Sequence, residues 1–126
     1  MSPAGTLVMV VDDDAPVRKV IRAALEKEGF RVLTAEHGVD ALAQMQAAGE
    51  PLKVLVADIV MPQMGGVALA ERALAQQPPP AIILMSGFSH DPSRLMVAGT
   101  RPPFIQKPFR LEEVVKLVRL AASGHH

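Results

Sequence analysis

The chain has 126 residues, thirteen basic and thirteen acidic for a formal charge of zero, and 49% of it is hydrophobic. That length suits one domain with a real core, and the balanced charge argues against a nucleic-acid-binding domain, which shows a basic excess on one face. There is no cysteine, which excludes disulfides, thiolate catalysis and cysteine–zinc sites and fits a reducing cytoplasm.

No apolar run is long enough for a transmembrane helix, so no membrane insertion is expected. Met1–Thr6 lacks the charged-then-apolar layout of a signal peptide. Residues 1–5 read as an N-terminal tail, 6–122 as the folded domain and 123–126 as the remnant of a purification tag, which takes His125 and His126 out of functional reasoning.

Thr6–Val11 is a short apolar run suited to a buried strand. Val17, Val20, Ile21, Ala24 and Leu25 then recur at helical spacing and close near Gly29, one apolar stripe of a helix. Arg31–Ala35 predicts a second strand, Val39–Ala48 a helix ending at Gly49, and Lys53–Ala57 a third strand. Val67–Gln76 predicts a helix stopped by Pro78-Pro79-Pro80, and Ala81–Met85 a fourth strand. Asp91–Ala98 reads as a short helix and Phe104-Ile105 as a brief fifth strand. Leu111, Val114, Val115, Val118, Ala121 and Ala122 form the cleanest helical stripe.

Strands alternating with helices predict a parallel sheet covered on both faces. Five βα units in this length suit the α/β flavodoxin-like, doubly wound (βα)5 order 2-1-3-4-5, whose crevice lies at the carboxyl ends of strands 1 and 3. Strand 1 ends in Asp12-Asp13-Asp14, strand 3 in Asp58, strand 4 in Ser86-Gly87, and strand 5 runs into Lys107-Pro108. All meet at one edge of the sheet.

Each residue has an ordinary reading. Asp14 caps the first helix, with Pro16 in its first turn. His37 and His90 are loop or cap residues, and Met45, Met61, Met64, Met85 and Met96 fill the core. Together, however, the acids must share a small space. At about 4 Å and an effective dielectric near 20, each like-charge pair costs on the order of 4 kcal/mol. A divalent cation removes that cost, and hard carboxylate oxygens suit Mg²⁺. Asp58 follows an apolar strand and precedes Met61-Pro62 and Gly65-Gly66. Such a carboxylate can attack a phosphoryl group and form an aspartyl phosphate. Lys107, held at the rim by the following Pro108, supplies a counter-charge, and Ser86 a hydroxyl for a phosphate oxygen; a cis Lys107–Pro108 bond is one way to hold the lysine, although cis is the minority isomer. No glycine-rich dinucleotide or P-loop motif is present.

The pieces VVDDD (Val10–Asp14), DIVMPQMGG (Asp58–Gly66), ILMSG (Ile83–Gly87) and FIQKPF (Phe104–Phe109) resemble the receiver domain of two-component response regulators over Thr6–Ala122. The resemblance implies Asp58 as phosphoacceptor, fed from a phosphohistidine on a sensor histidine kinase or histidine phosphotransfer protein. It implies a Mg²⁺ site of Asp13, Asp12, Asp58 and the Val60 carbonyl. Lys107 would pair with the phosphoryl group, and Ser86 and Phe104 would be the switch pair. Activity would be limited to Mg²⁺-dependent self-phosphorylation and dephosphorylation, with Val60 and Phe88 as apolar flanks slowing the latter.

This chain departs from the family pattern at Gly65 (often Asp), Ser86 (more often Thr), Phe104 (often Tyr) and the short Asp91–Gly99 segment. Ser86-Gly87-Phe88 and Gln106–Phe109 are similar to receivers at the C-terminus of hybrid sensor kinases. Two other readings stand beside this one: a haloacid-dehalogenase-like phosphatase with Asp12 as nucleophile, and a pseudo-receiver that binds partners without phosphorylation.

Overall fold

The computed structural model describes residues 5–87 and 95–124. Five parallel strands, β1 (Leu7–Val11), β2 (Arg31–Ala35), β3 (Val54–Asp58), β4 (Ala81–Ser86) and β5 (Phe104–Gln106), form one sheet in the order β2-β1-β3-β4-β5, as the sequence predicted. The helices among the described residues are α1 (Ala15–Lys27), α2 (Gly38–Ala47), α3 (Gly66–Ala73) and α4 (Leu111–Ala122).

Burial explains the strand sequences. β1 and β3 are buried at every residue, whereas the edge strands β2 and β5 are buried only in part. Central parallel strands are covered on both faces and therefore read as unbroken apolar runs. Alternation divides the core in two. Val8, Val10, Val54, Val56, Ile83, Met85 and Ile105 pack with Ile21 and Leu25 of α1 and Val114 and Val118 of α4. Met9, Val11, Leu55, Ala57, Ile82 and Leu84 pack with Ala41 and Met45 of α2 and Leu69, Ala70 and Ala73 of α3.

Some expectations need correction. Of the helix expected over Asp91–Ala98, residues 91–94 lie outside the described residues, as do Phe88, His90, His125 and His126. Leu95–Ala98 is not helical. Val97 and Thr100 form an antiparallel bridge, each main-chain N–H donating to the other's carbonyl at 2.8 and 3.0 Å. Ala98 and Gly99 turn the chain with φ of 50° and 82°. A two-residue turn with both φ positive suits a tight reversal and excludes a helix. Val20 is 47% exposed and Met96 45%, so neither belongs to the core. Asp14 stands at the α1 N-cap position without a side-chain cap. His37 does cap α2, its Nδ1 accepting the Asp40 N–H at 3.2 Å.

Candidate functional site

Parallel pairing brings the site acids together. Val11 lies opposite Ala57 in the β1–β3 ladder, so the next residues, Asp12 and Asp58, stand side by side at the carboxyl edge. Both are in phase with the valines of the α1/α4 face. Asp12 is fully buried and Asp58 is 6% exposed. Asp13 is exposed, and carboxylate oxygens of Asp12, Asp13 and Asp58 lie within 4.8 Å of one another. The cluster therefore opens to solvent at Asp13.

Lys107 reaches the cluster from β5. Its main-chain N–H donates to the Ser86 carbonyl at 2.9 Å, which fixes the residue beside the end of β4. Its Nζ donates to Asp12 Oδ2 at 2.6 Å and to Asp58 Oδ2 at 2.9 Å. The Lys107–Pro108 peptide is cis. A Cβ at Gly87 would meet the Lys107 side chain at 3.7 Å, an ordinary contact.

Main-chain donors hold the carboxylates. Asp14 N–H donates to Asp12 Oδ1 at 2.9 Å, and Val60 N–H to Asp58 Oδ1 at 3.1 Å. Burial raises the Asp12 pKa above its usual 3.8, opposed by the hydrogen bonds from Lys107 and Asp14. For Lys107 burial is the largest single effect and lowers the pKa, but the bonds and charges of Asp12 and Asp58 outweigh it and hold the pKa above 10.5. Three carboxylates against one ammonium leave two negative charges. That excess, on hard oxygens open to solvent, matches a divalent cation that keeps some of its waters.

The glycines after Asp58 are fixed by backbone contact. A Cβ on Gly66 would lie 2.4 Å from the Asp58 carbonyl oxygen, and one on Gly65 2.6 Å from that of Ile59. Gly66 N–H donates to the Ile59 carbonyl at 3.1 Å. The loop folds back on β3 so closely that a side chain at Gly65 would press on the Ile59 carbonyl oxygen unless the backbone shifted.

Ser86 is fully buried at the end of β4, one residue beyond Met85, which pairs with Asp58. It is in phase with Leu84, on the α2/α3 face. Phe104 pairs with Leu84 and packs, half-buried, against the same cluster. Val60 is 46% exposed beside Asp58.

Sequence reasoning missed Arg18, whose Nη1 donates to the main-chain carbonyl of Asp12 at 2.7 Å. The signal was its spacing. A long side chain one turn into a helix lies back over the helix start, here over the strand end that carries Asp12.

Residues 8–119 match the sequence profile of the response regulator receiver domain, and the chain belongs to that family. It is 33% identical over 109 residues to the response regulator receiver protein CpdR of Brucella abortus (strain 2308), a match covering 86% of this chain and 89% of CpdR. It is 32% identical over 120 residues to the sensor kinase CckA of the same strain, covering 94% of this chain but only 13% of CckA. A CheY-like response regulator receiver domain protein from Methanospirillum hungatei JF-1 shares the fold, with a TM-score of 0.84, 23% identity and 96% of each chain covered. The chain is thus a two-component receiver domain, and the haloacid-dehalogenase-like reading is set aside. Among the described residues no helix is long and apolar enough to cross a membrane.

Proposed function

We propose that this receiver takes a phosphoryl group onto Asp58 from a phosphohistidine of a sensor histidine kinase or histidine phosphotransfer protein. The observation that carries the reading is the buried Asp58 carboxylate, bound through Oδ2 to Lys107 within 4.8 Å reach of Asp12 and Asp13. Asp58 attacks phosphorus as the bond to the histidine nitrogen breaks. The electron pair of that bond leaves with the imidazole, and an aspartyl phosphate results.

The chain's residues position and neutralise rather than take part covalently, as phosphoryl transfer requires. Val60 N–H fixes the Asp58 carboxylate through Oδ1. Lys107 already contacts the attacking group and supplies positive charge to the incoming phosphoryl oxygens. Asp12, Asp13, Asp58 and the Val60 carbonyl would hold Mg²⁺, which when bound neutralises the acids and the phosphoryl oxygens. Ser86 and Phe104 would read the modified state as a population shift between two conformations.

Incubation with Mg²⁺ and acetyl phosphate or phosphoramidate, followed by mass spectrometry, tests this. The protein should gain one phosphoryl mass and Asp58→Ala none. No gain in the wild type, or equal gain in the variant, would overturn the reading.

A further inference from the structure

We propose that Arg18 is a positioning residue for the acidic site, setting where the Asp13 carboxylate stands; this rests on the metal-dependent reading above. The β1 ladder ends at Val11, opposite Ala35 and Ala57. Asp12 is the first residue beyond it, yet each of its polar groups is held. Its N–H donates to the Ala35 carbonyl at 3.1 Å. Oδ1 accepts from Asp14 N–H and Oδ2 from Lys107. Its carbonyl accepts from Arg18 at 2.7 Å.

That carbonyl belongs to the peptide joining Asp12 to Asp13. Asp13 is exposed, so its carboxylate is aimed by its own backbone rather than by packing. Rotation of the Asp12–Asp13 peptide would swing Asp13 away from Asp12 and Asp58. Arg18 opposes that rotation from a fixed base, because its own N–H donates to the Asp14 carbonyl at 3.1 Å in the first turn of α1. A guanidinium is suited to this task, since its donors sit in a rigid plane.

Charge and position predict opposite results. If Arg18 acts only as a cation beside the cluster, its removal tightens cation binding. If it aims Asp13, its removal weakens binding, as loss of a group that orients a ligand residue does by about tenfold.

The test is Mg²⁺ titration of the whole chain by calorimetry for wild type, Arg18→Met and Arg18→Lys, with metal-free melting curves and amide spectra. Arg18→Met should bind Mg²⁺ about tenfold more weakly, with its Asp13 amide resonance displaced before metal is added. Arg18→Lys should recover part of the affinity, since an ammonium can donate to the same carbonyl. Equal or tighter binding by Arg18→Met overturns the proposal, as does a loss in Arg18→Lys as large as in Arg18→Met. Should Arg18→Met fail to fold, Arg18→Lys decides: weaker binding with a displaced Asp13 resonance supports the proposal, and unchanged binding overturns it. A wild type that binds no Mg²⁺ fails at the level of the proposed function instead.

Discussion

On the face covered by α1 and α4, alternation along β1 and β3 sends Val8, Val10, Val54 and Val56 into the core and leaves Asp12 and Asp58 at their ends, with Lys107 reaching in from β5. The face covered by α2 and α3 carries Ser86 at the same edge and Phe104 at the start of β5 beside Leu84, the first fully buried and the second half-buried. One face gathers charge and the other a hydroxyl and a ring. Main-chain bonds join the two. Lys107 N–H bonds the Ser86 carbonyl, and Ile59 N–H bonds that of Met85. The proposed chemistry at Asp58 and its proposed readout should therefore be separable by mutation.

The sharpest separation sets Lys107→Met against Ser86→Ala. Losing a charge already aimed at the reacting oxygens should slow labelling by acetyl phosphate on the order of a hundredfold. Ser86→Ala should leave labelling within a few-fold, yet abolish the phosphorylation-dependent change at the Phe104 resonances. Equal loss of labelling in both variants would break the comparison.

A smaller effect tests the backbone beneath the charged face. Gly66→Ala places a Cβ 2.4 Å from the Asp58 carbonyl oxygen, and overpacking of that kind costs about 1–3 kcal/mol. Urea unfolding should register this cost as a lower midpoint, and an unchanged midpoint would show that the loop has room to shift.

The smallest effect is in pH. Burial raises the folded-state pKa of Asp12 above 3.8, so its favourable contribution is complete below 3.8 and is lost as pH rises through the folded value. At neutral pH the buried charge costs stability in the metal-free protein. The stability of Asp12→Asn relative to wild type should accordingly rise from pH 3 to pH 7 in chemical denaturation without metal. A flat difference would remove burial as the dominant influence on Asp12.

Legibility followed packing. Strands buried on both faces have little choice but to be apolar, so β1, β3 and β4 stood out, and with them the acids and the serine at their ends. The stripe of α4 was equally plain, because Val114, Val118, Ala121 and Ala122 all face the core. Val20 misled because its spacing fits the α1 stripe while its position on the surface does not. The Val97–Thr100 reversal was hidden because the periodicity of so short a segment cannot separate a weak helix from a turn. At the site, residue types and order were legible. Arg18 was overlooked because its bond is to a carbonyl, a group every residue carries, although its spacing one turn into α1 placed it over the strand end.

The parallel α/β order and the side chains at the carboxyl edge can be read from the chain alone, since apolar period and strand ends are local properties. Folding alone brings Lys107 between Asp12 and Asp58, puts Ser86 and Phe104 on the opposite face, and presses Gly65 and Gly66 against the backbone of β3 and its exit. Those facts depend on register and on distances between residues far apart in the chain, such as the 95 positions separating Asp12 from Lys107, which no local pattern encodes.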